Sequence, residues 1–399
     1  GDIMSNGPLP HIDAASLVAF PAERPTKNLH SRSISTAQSV CADVMRDKPL
    51  LTHVWNGPYG RVGIIILPVV DMTLFEDDQK TVEAAVEGVQ LASDAGAQCV
   101  SFTGMIPAAT GYGTKIAEYV GSSLHRDSRQ RIPQLTTGHA AVIAAFALNV
   151  EAILKSAGRV YADEHVAFVG IGSIGSGILK LLSNQSAPKV IYVVDVHEKK
   201  AQLARLKTEI NAEIEVVSID KNAGLPSGLY DRCSLFLSAT STPLVIDVDQ
   251  LKPGALVVDD SFPFGFDSEK AVARISSASD IMITIAGGLQ GPEELDLVYT
   301  APQATQFTEF ALLLNRMEKM VSPWPRCMTG CVYSSLLTNH YDLPATLGPV
   351  LYEDGGLFLE KLRAEGFCGT PPHIFTFDPN SSKPTHAMPT SQLEWHAGK

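Results

Sequence analysis

Three glycines in this chain have a spacing suited to holding a phosphate ester: Gly170, Gly172 and Gly175 directly follow the apolar run 166–169. The first glycine of such a set permits a tight turn, the second lets the backbone approach a diphosphate, and the third lets a helix pack against a strand. The helix that begins here would present free N–H groups and the positive end of its dipole to the phosphates. The segment predicts a dinucleotide-binding turn; the alternative is a related fold that has lost its nucleotide.

Asp195 follows the next predicted strand, 191–194, and lies 20 residues after Gly175. A carboxylate at this spacing accepts hydrogen bonds from the ribose hydroxyls of NAD and repels the 2′-phosphate of NADP. No Arg follows the acid directly, whereas Lys199 and Lys200 either reach a phosphate or begin a solvated helix. The sequence favours NAD, with NADP as the alternative.

Loops follow later strands of the same block at 239–243, where small polar residues predominate, and at 259–263 and 286–288. Residues at the carboxyl ends of parallel strands face the ligand crevice, although each segment alone is also consistent with an ordinary loop. Together with the glycine turn they give these expected cofactor contacts: Gly170, Gly172, Ser173, Ile174, Gly175, Asp195, Val196, Ala239, Thr240, Ser241 and Asp260.

A nicotinamide cofactor transfers hydride, and that chemistry needs a group that polarises a carbonyl or moves its proton. His139 is the favoured candidate because it follows Thr136-Thr137-Gly138 at a predicted helix start, where a neutral imidazole is favoured over a cation. The alternative is a capping or packed histidine. Thr137 either hydrogen-bonds the substrate or caps the helix.

Two further candidates complete the expected catalytic set. Lys115 follows a glycine-containing loop and either holds a carboxylate or phosphate or is solvated. Glu309 on an apolar helix either faces the cleft or has a structural partner. Cys327 and Cys331 with His340 lack the second ligand pair of a zinc site, so we predict no metal, and either Cys remains an alternative nucleophile.

The elements that must position these residues alternate between strand and helix. Predicted strands at 166–169, 191–194, 214–217, 235–238, 255–259 and 281–285 are separated in part by helices at 176–182 and 198–210. Earlier, a strand at 62–67, a helix at 77–96, a strand at 99–103 and a helix at 140–156 suggest another α/β block. The expected fold class is α/β, with a Rossmann-type doubly wound parallel sheet plus a second α/β substrate domain.

The expected domains follow from this alternation. We predict an irregular N-terminal arm and helix (1–48), the substrate domain (49–160), the NAD(P)-binding domain (161–300), C-terminal helices packing back on the substrate domain (301–376) and a flexible tail (377–399).

Composition and charge limit the classes of binding partner and the cellular location that we expect. The 399 residues carry a net charge of −12 and no long Lys/Arg run, which argues against nucleic acid. The six Cys are too sparse for a disulfide framework, and neither a secretory signal nor a membrane span is apparent, so we expect a cytoplasmic protein. Apolar C-terminal segments make a homodimer the expected oligomer.

From Gly63 to Lys319 the order of motifs resembles the long-chain acyl-[acyl-carrier-protein] reductases, which form fatty aldehydes. The resemblance rests on these segments: Leu67-Pro68, 92–97, 102–104, 136–138, 257–259 with Pro263, Gly287-Gly288 and 307–309. It implies an acyl-thioester substrate, either carrier-bound or a small molecule, and NADPH as the reductant. Gln306 stands where those reductases carry a nucleophilic Cys, and an amide cannot form an acyl-enzyme.

Three functions remain from the sequence. The leading hypothesis is an NAD(P)H-dependent acyl-thioester reductase that delivers hydride directly to the bound thioester or a related carbonyl. The second is an NAD-dependent dehydrogenase of a small oxo, hydroxy or amino acid. The third is a catalytically silent NAD-binding scaffold.

Overall fold

The computed structural model describes residues 8–21, 30–124, 131–261, 263–301, 308–377 and 384–386. The chain forms two compact units, each built from separated stretches of sequence. Unit 1 comprises residues 1–141 and 292–349, and unit 2 comprises residues 142–291 and 350–399.

The described residues form alternating strands and helices. In chain order up to the end of the first long helix they are β1 (Ala14–Phe20), α1 (His30–Asp43), β2 (Leu50–Gly57), β3 (Gly60–Val70), α2 (Asp78–Asp94), β4 (Cys99–Phe102), α3 (Ile106–Ala109), α4 (Thr114–Leu124), β5 (Gln134–Thr136) and α5 (His139–Ala157). The next stretch holds β6 (His165–Val169), α6 (Ser173–Gln185), β7 (Val190–Val196), α7 (Lys200–Glu209), β8 (Ile214–Ile219), α8 (Ser227–Arg232), β9 (Leu235–Ser238), β10 (Leu256–Asp259), α9 (Ser268–Ala278), β11 (Met282–Ile285) and β12 (Gly288–Gln290). The remainder holds β13 (Asp296–Thr300), α10 (Thr308–Val321), β14 (Cys327–Thr329), α11 (Gly330–Tyr341), α12 (Tyr352–Ala364), β15 (Cys368–Gly369), β16 (Phe375–Phe377) and β17 (Pro384–His386).

The sheet of unit 2 has the strand order β11-β10-β9-β6-β7-β8 among the described residues, with parallel pairing throughout. Its first strand, β6, therefore lies in the middle, and the order reverses there. This is the 3-2-1-4-5-6 order of a doubly wound dinucleotide-binding sheet. This strand order confirms the predicted fold class. Short apolar strands such as Leu235–Ser238 are buried along their whole length, as expected for parallel strands that are covered on both faces.

A buried ion pair joins the entrance of β6 to its neighbours in unit 2. Arg159 donates from Nε to Glu164 Oε1 (2.8 Å), and its Nη2 donates to Glu164 Oε2 (2.5 Å). Ser234 Oγ also donates to Glu164 Oε2 (2.5 Å), and Arg159 Nη1 donates to the carbonyl of Gly254 (2.5 Å). Each of these Arg159 and Ser234 donors therefore has a carboxylate or carbonyl partner, as a buried charge pair requires.

The sheet of unit 1 has the order β13-β2-β3-β1-β4-β5 among the described residues. β3, β1, β4 and β5 run parallel, whereas β2 and β13 add an antiparallel edge. Its core lies between this sheet and helices such as α2, which buries Val82, Ala85 and Val89.

The expectation of an irregular arm at 1–48 is wrong for Ala14–Phe20. These residues form β1, a central strand flanked by β3 and β4. Its sequence, Ala-Ala-Ser-Leu-Val-Ala-Phe, is apolar on both faces and so lacks the alternation that signals a half-buried strand. The helix predicted within 1–48 is α1, which begins at His30.

The C-terminal segments divide between the units. α11 packs against the sheet of unit 1, where its Val332 and Cys331 carbonyls accept hydrogen bonds from Ser16 Oγ (3.2 Å) and Ser101 Oγ (3.0 Å). α12, by contrast, packs on α6 within unit 2 and does not join the substrate domain as expected for 301–376. Within the predicted tail, 384–386 forms a strand that pairs with 375–377; the other residues beyond 377 lie outside the described part.

Three further properties concern the described residues alone. α5 is long and apolar enough to cross a membrane, with a mean hydropathy of 1.6, but 72% of that window is buried inside the structure, as in the core helix of a globular protein. None of the six Cys forms a disulfide bond. No group of three or more His, Cys, Asp or Glu side chains in the described ranges is arranged to hold a metal ion.

Candidate functional site

The glycine turn of unit 2 links β6 to α6. Gly170 has a φ of +94°, a backbone conformation that favours glycine, and its N–H donates to the carbonyl of Val194 (2.9 Å). A Cβ at Gly170 would lie 2.4 Å from the carbonyl oxygen of Ala239, and one at Gly175 would lie 2.0 Å from the carbonyl oxygen of Gly170. These two glycines are therefore fixed by the packing of the turn against its own helix and against the end of β9.

Gly172 differs from its two neighbours. It is the N-cap of α6 and has β-region dihedrals (φ −63°, ψ −170°) that any residue can adopt. A Cβ built at Gly172 would meet no protein atom within 4 Å. Neither backbone conformation nor protein packing requires a glycine here, so what remains is space for a group that approaches the backbone closely.

The first turn of α6 supplies hydrogen-bond donors beside Gly172. The first intrahelical bond runs from the N–H of Ser176 to the carbonyl of Gly172 (2.9 Å), so the N–H groups of Ser173, Ile174 and Gly175 have no partner inside the helix. Ser173 Oγ accepts the N–H of Val350 (2.9 Å), which fixes the side chain at the start of the helix. The arrangement fits a diphosphate in both charge and donor geometry.

Asp195, near the end of β7, forms a hydrogen bond with the backbone of the glycine turn. Its Oδ2 accepts the N–H of Ile171 (2.7 Å), and its Oδ1 accepts the N–H of Val196 (2.7 Å). Lys199 Nζ lies 3.1 Å from Oδ2. Because each carboxylate oxygen has two lone pairs, Oδ1 retains acceptor capacity for a ribose hydroxyl, so the predicted role of Asp195 is compatible with its structural one.

A cleft opens on the Asp195 side of the glycine turn. Its lining includes residues that sequence reasoning missed, from the last residue of β8 and the loops after β8 and β9: Ile219, Asp220, Asn222, Ala223, Thr242 and Val245. No motif marks these positions, since small and apolar loop residues at a crevice edge look like any loop. Thr240, which was predicted, also lines this cleft.

The ends of four adjacent strands form one row along the carboxyl edge of the sheet. Ala239 N–H donates to the carbonyl of Val169, and Asp260 N–H donates to that of Ser238 (both 2.9 Å). Ala286 N–H in turn donates to the carbonyl of Asp259 (2.9 Å). The predicted contacts Gly170, Ala239 and Asp260 are thus neighbours at the same height, whereas Ser241 is exposed beyond the edge.

The two carboxyl groups of Asp259-Asp260 have different surroundings. Asp259 is fully buried and accepts hydrogen bonds from Ser238 Oγ, the N–H of Ser261 (3.1 Å) and the N–H of Gly265 (2.9 Å). Burial raises the pKa of Asp259, and those hydrogen bonds oppose the rise. Asp260 is partly buried; desolvation, together with the charge of Asp259, raises its pKa to about 7.

Asn149 fixes the turn after β11 and was not predicted. Its Nδ2 donates to the carbonyls of Ala286 (2.8 Å) and Gly288 (2.7 Å), and its Oδ1 accepts from the N–H (3.0 Å) and Oγ1 (2.9 Å) of Thr370. A buried Asn in an apolar helix, with the sequence Ala-Leu-Asn-Val, is the signal that was available in the sequence.

His139 and Thr137 lie together at the carboxyl edge of the sheet in unit 1. The ring of His139 contacts the edge of Tyr112 (centroids 6.1 Å apart), and its Nδ1 is buried with no hydrogen-bond partner among the described residues. Burial lowers the pKa of His139 to about 4, so the imidazole is neutral at pH 7, as expected from its position. Thr137 Oγ1 accepts the N–H of His139 (3.3 Å), which is the helix-capping alternative.

Lys115, another catalytic candidate, makes no described contact with His139 or Thr137. Lys115 lies exposed on α4 and pairs with Asp78 of α2 (2.5 Å) on the surface of unit 1. Glu309 belongs to α10, but its side chain, like residue Gln306, lies outside the described part of the structure. Cys331 is half-buried and Cys327 buried. Tyr112, flanked by Gly111 and Gly113, is the neighbour of His139 that sequence reasoning missed.

Comparisons with known proteins give distant likenesses. No family model matches the chain. Over 137 residues, 34% of this chain, it is 28% identical to Aminotransferase PigE of Serratia sp., and it spans 15% of the length of that protein. Among solved structures it is similar to L-tryptophan dehydrogenase from Nostoc punctiforme (12% identity, 88% of each chain, TM-score 0.36). It is also similar to shikimate 5-dehydrogenase from Listeria monocytogenes in complex with shikimate and NAD (14% identity, 66% of this chain, 82% of that chain, TM-score 0.29). At such scores the fold assignment rests on the chain's own strand order.

Proposed function

We propose that this chain is a nicotinamide-dinucleotide-dependent oxidoreductase that reduces the carbonyl of an acyl thioester. The observation that carries the proposal is Gly172: a position at the start of α6 where a Cβ would meet no protein atom within 4 Å, at the point where the strand order of a parallel sheet reverses. Ligands of open α/β sheets bind at this point. The acyl-thioester substrate is supported by the motif order shared with the acyl-carrier reductases.

The N–H groups of Ser173, Ile174 and Gly175 would hold the diphosphate, and Asp195 would hold the adenosine ribose. The other half of the dinucleotide would extend over the ends of β9 and β10, because a doubly wound sheet binds its two nucleotide halves on either side of the first strand. When bound, the nicotinamide supplies or accepts a hydride. The residues of the chain would then bind and orient the cofactor and the substrate and transfer one proton.

Within unit 1, His139 would act as a neutral hydrogen-bond donor to a bound carbonyl oxygen. Since its Nδ1 is buried without an acceptor, a proton there would be left unpaired, so the Nε2–H tautomer is favoured. A pKa of about 4 makes the imidazolium too scarce near neutrality to be the source of the proton. His139 therefore serves as an electrophile in this proposal, and the proton must come from another group.

A substrate panel tests the function. Purified chain is incubated with NADH or NADPH and with acyl-CoA, acyl-carrier protein or small oxo acids, and cofactor oxidation is followed at 340 nm. A thioester reductase oxidises cofactor with thioesters and releases aldehyde and free thiol in equal amounts. Turnover only with small oxo acids would replace this proposal by a dehydrogenase, and dinucleotide binding without turnover on any substrate would leave a scaffold.

Replacing His139 by Leu should lower kcat about 100-fold, the usual loss when one positioned donor is removed, with the dissociation constant of NADH unchanged. The Gln variant, which keeps an N–H donor, should lose less. The melting temperature should not fall, because the buried Nδ1 of the wild-type ring has no hydrogen-bond partner among the described residues that Leu would lose. A structural role would give the opposite result, a lower melting temperature with turnover intact.

Replacing Asp195 by Asn should weaken NADH binding about tenfold while leaving NADPH binding unchanged or stronger. The amide keeps one acceptor oxygen for the glycine turn but loses the charge that repels a 2′-phosphate, and it frees Lys199 to contact that phosphate. Fluorescence titration of both cofactors measures the ratio. The exposed variant Asp231→Asn is the matched control, and an unchanged ratio in Asp195→Asn would exclude the assigned role.

A further inference from the structure

We propose that Asp260 is the general acid of the reaction, the group that gives up the proton accompanying hydride transfer. This inference rests on the proposed function and deepens it by naming a catalytic residue outside the glycine turn. Three features of unit 2 carry it: the position of Asp260 in the row of strand ends, the open face beside its carboxyl group, and the lack of any donor to its oxygens.

The strand register fixes the position of Asp260 relative to the glycine turn. Val169 pairs with Ser238, and Ser238 pairs with Asp259, so Asp260 lies two strands from Gly170 at the same edge. Adjacent strands are about 4.8 Å apart, which places the two backbones roughly 10 Å from each other. That is the side of β6 opposite to Asp195, where the nicotinamide half of the dinucleotide would extend.

The face beside the carboxyl group is kept open by a glycine. A Cβ built at Gly287 would lie 3.7 Å from Asp260 Oδ1, so a side chain there would lie against this oxygen. Asn149 holds the carbonyls on both sides of Gly287, and this fixes the turn in place. The carboxyl group is thus partly exposed at the crevice without being free in solvent.

No described residue donates a hydrogen bond or forms an ion pair with the Asp260 carboxyl group, in contrast to Asp259, which accepts three hydrogen bonds. A carboxylate left without donors in a partly buried place favours its protonated form. The neighbouring charge is that of Asp259, the preceding residue, while Ser238 on one side and Gly287 on the other carry no charge. The pKa near 7 that results populates both forms at neutral pH, as a general acid requires.

Hydride adds to the carbonyl carbon of the thioester, and the C–S bond breaks to leave an aldehyde. The departing sulfur takes the electron pair of that bond and the proton of Asp260, so the products are aldehyde and thiol. NADH is oxidised, the acyl carbon is reduced, and solvent returns a proton to Asp260.

The test is Asp260→Asn, which keeps the shape of the side chain and removes the proton. The wild-type kcat for reduction should be constant below pH 7 and fall tenfold per pH unit above it, because only the protonated acid acts. The variant should have kcat lowered about 100-fold and independent of pH in this range, with the dissociation constant of NADH unchanged. Asp231→Asn, an exposed substitution in the same unit, should behave as wild type.

A second readout does not depend on activity. In protein labelled with ¹³C at the Asp carboxyl carbons, one resonance should titrate near pH 7 in the wild type and be missing in Asp260→Asn. A variant that keeps the wild-type pH profile, or a wild type with no carboxyl titrating above pH 5.5, would overturn the assignment of Asp260 while the proposed function stands. Failure of the wild type to bind or oxidise NADH would instead overturn the proposed function itself.

Discussion

Gly172→Ala should weaken NADH binding at least 100-fold, about 2.7 kcal/mol, while leaving the fold and the melting temperature unchanged. The backbone of Gly172 is already in a conformation that Ala adopts, and the new methyl group would touch no protein atom. It would occupy only the space through which a diphosphate reaches the N–H groups of α6. Isothermal calorimetry with NADH, together with a thermal melt of each protein, measures both halves of the expectation.

The matched control is Gly228→Ala in α8, another glycine where a Cβ would meet no atom within 4 Å. It should bind NADH as the wild type does. Gly175→Ala also should lose binding, but through the fold, because its methyl group would collide with the carbonyl of Gly170. Wild-type affinity in a well-folded Gly172→Ala protein would show that no diphosphate lies at this helix, and the oxidoreductase proposal would fall with it.

Arg159→Ala should lower the free energy of unfolding by about 3–5 kcal/mol. The substitution leaves the carboxylate of Glu164 buried, with the Ser234 hydroxyl as its remaining side-chain donor, and it removes the donor to the carbonyl of Gly254. Leaving one charge buried without its partner lowers the free energy of unfolding by far more than the intact ion pair adds to it. Urea denaturation followed by circular dichroism measures the change.

Arg363→Ala is the matched control, since Arg363 pairs with Glu151 on an exposed surface of the same unit. Its expected loss is below about 1 kcal/mol. The double variant Arg159→Leu/Glu164→Leu should be more stable than Arg159→Ala, because no charge stays buried. A loss from Arg159→Ala as small as that from Arg363→Ala would contradict the burial described for this pair.

The strands of unit 2 could be predicted because each is a short apolar run between loop residues, and the glycine turn gave the starting point. Leu235–Ser238 was predicted to the residue, and the helix predicted at 140–156 is observed at 139–157. What the sequence could not provide was the strand Ala14–Phe20 in the middle of unit 1. A strand buried on both faces carries no alternation, and its small residues are equally common in irregular segments.

In the candidate site, too, some residues could be predicted from the sequence and others could not. The glycine turn and Asp195 were located by spacing, which follows from backbone geometry alone. Lys115 could not be judged, since its partner Asp78 lies 37 residues away in sequence on another helix. The different surroundings of Asp259 and Asp260 were also hidden, because alternate residues of a strand point to opposite faces and only the tertiary fold decides which face holds the donors.

Unit 1 is completed by residues 292–349, which supply β13 and α11. On the ribosome, the whole stretch 142–291 emerges before them. At translation speeds of about 5–20 residues per second, the roughly 200 residues between the ends of β5 and α11 take on the order of 10–40 s to synthesise. Throughout that interval the nascent sheet lacks the helix that accepts the hydrogen bonds of Ser16 and Ser101, so this face of the sheet stays uncovered.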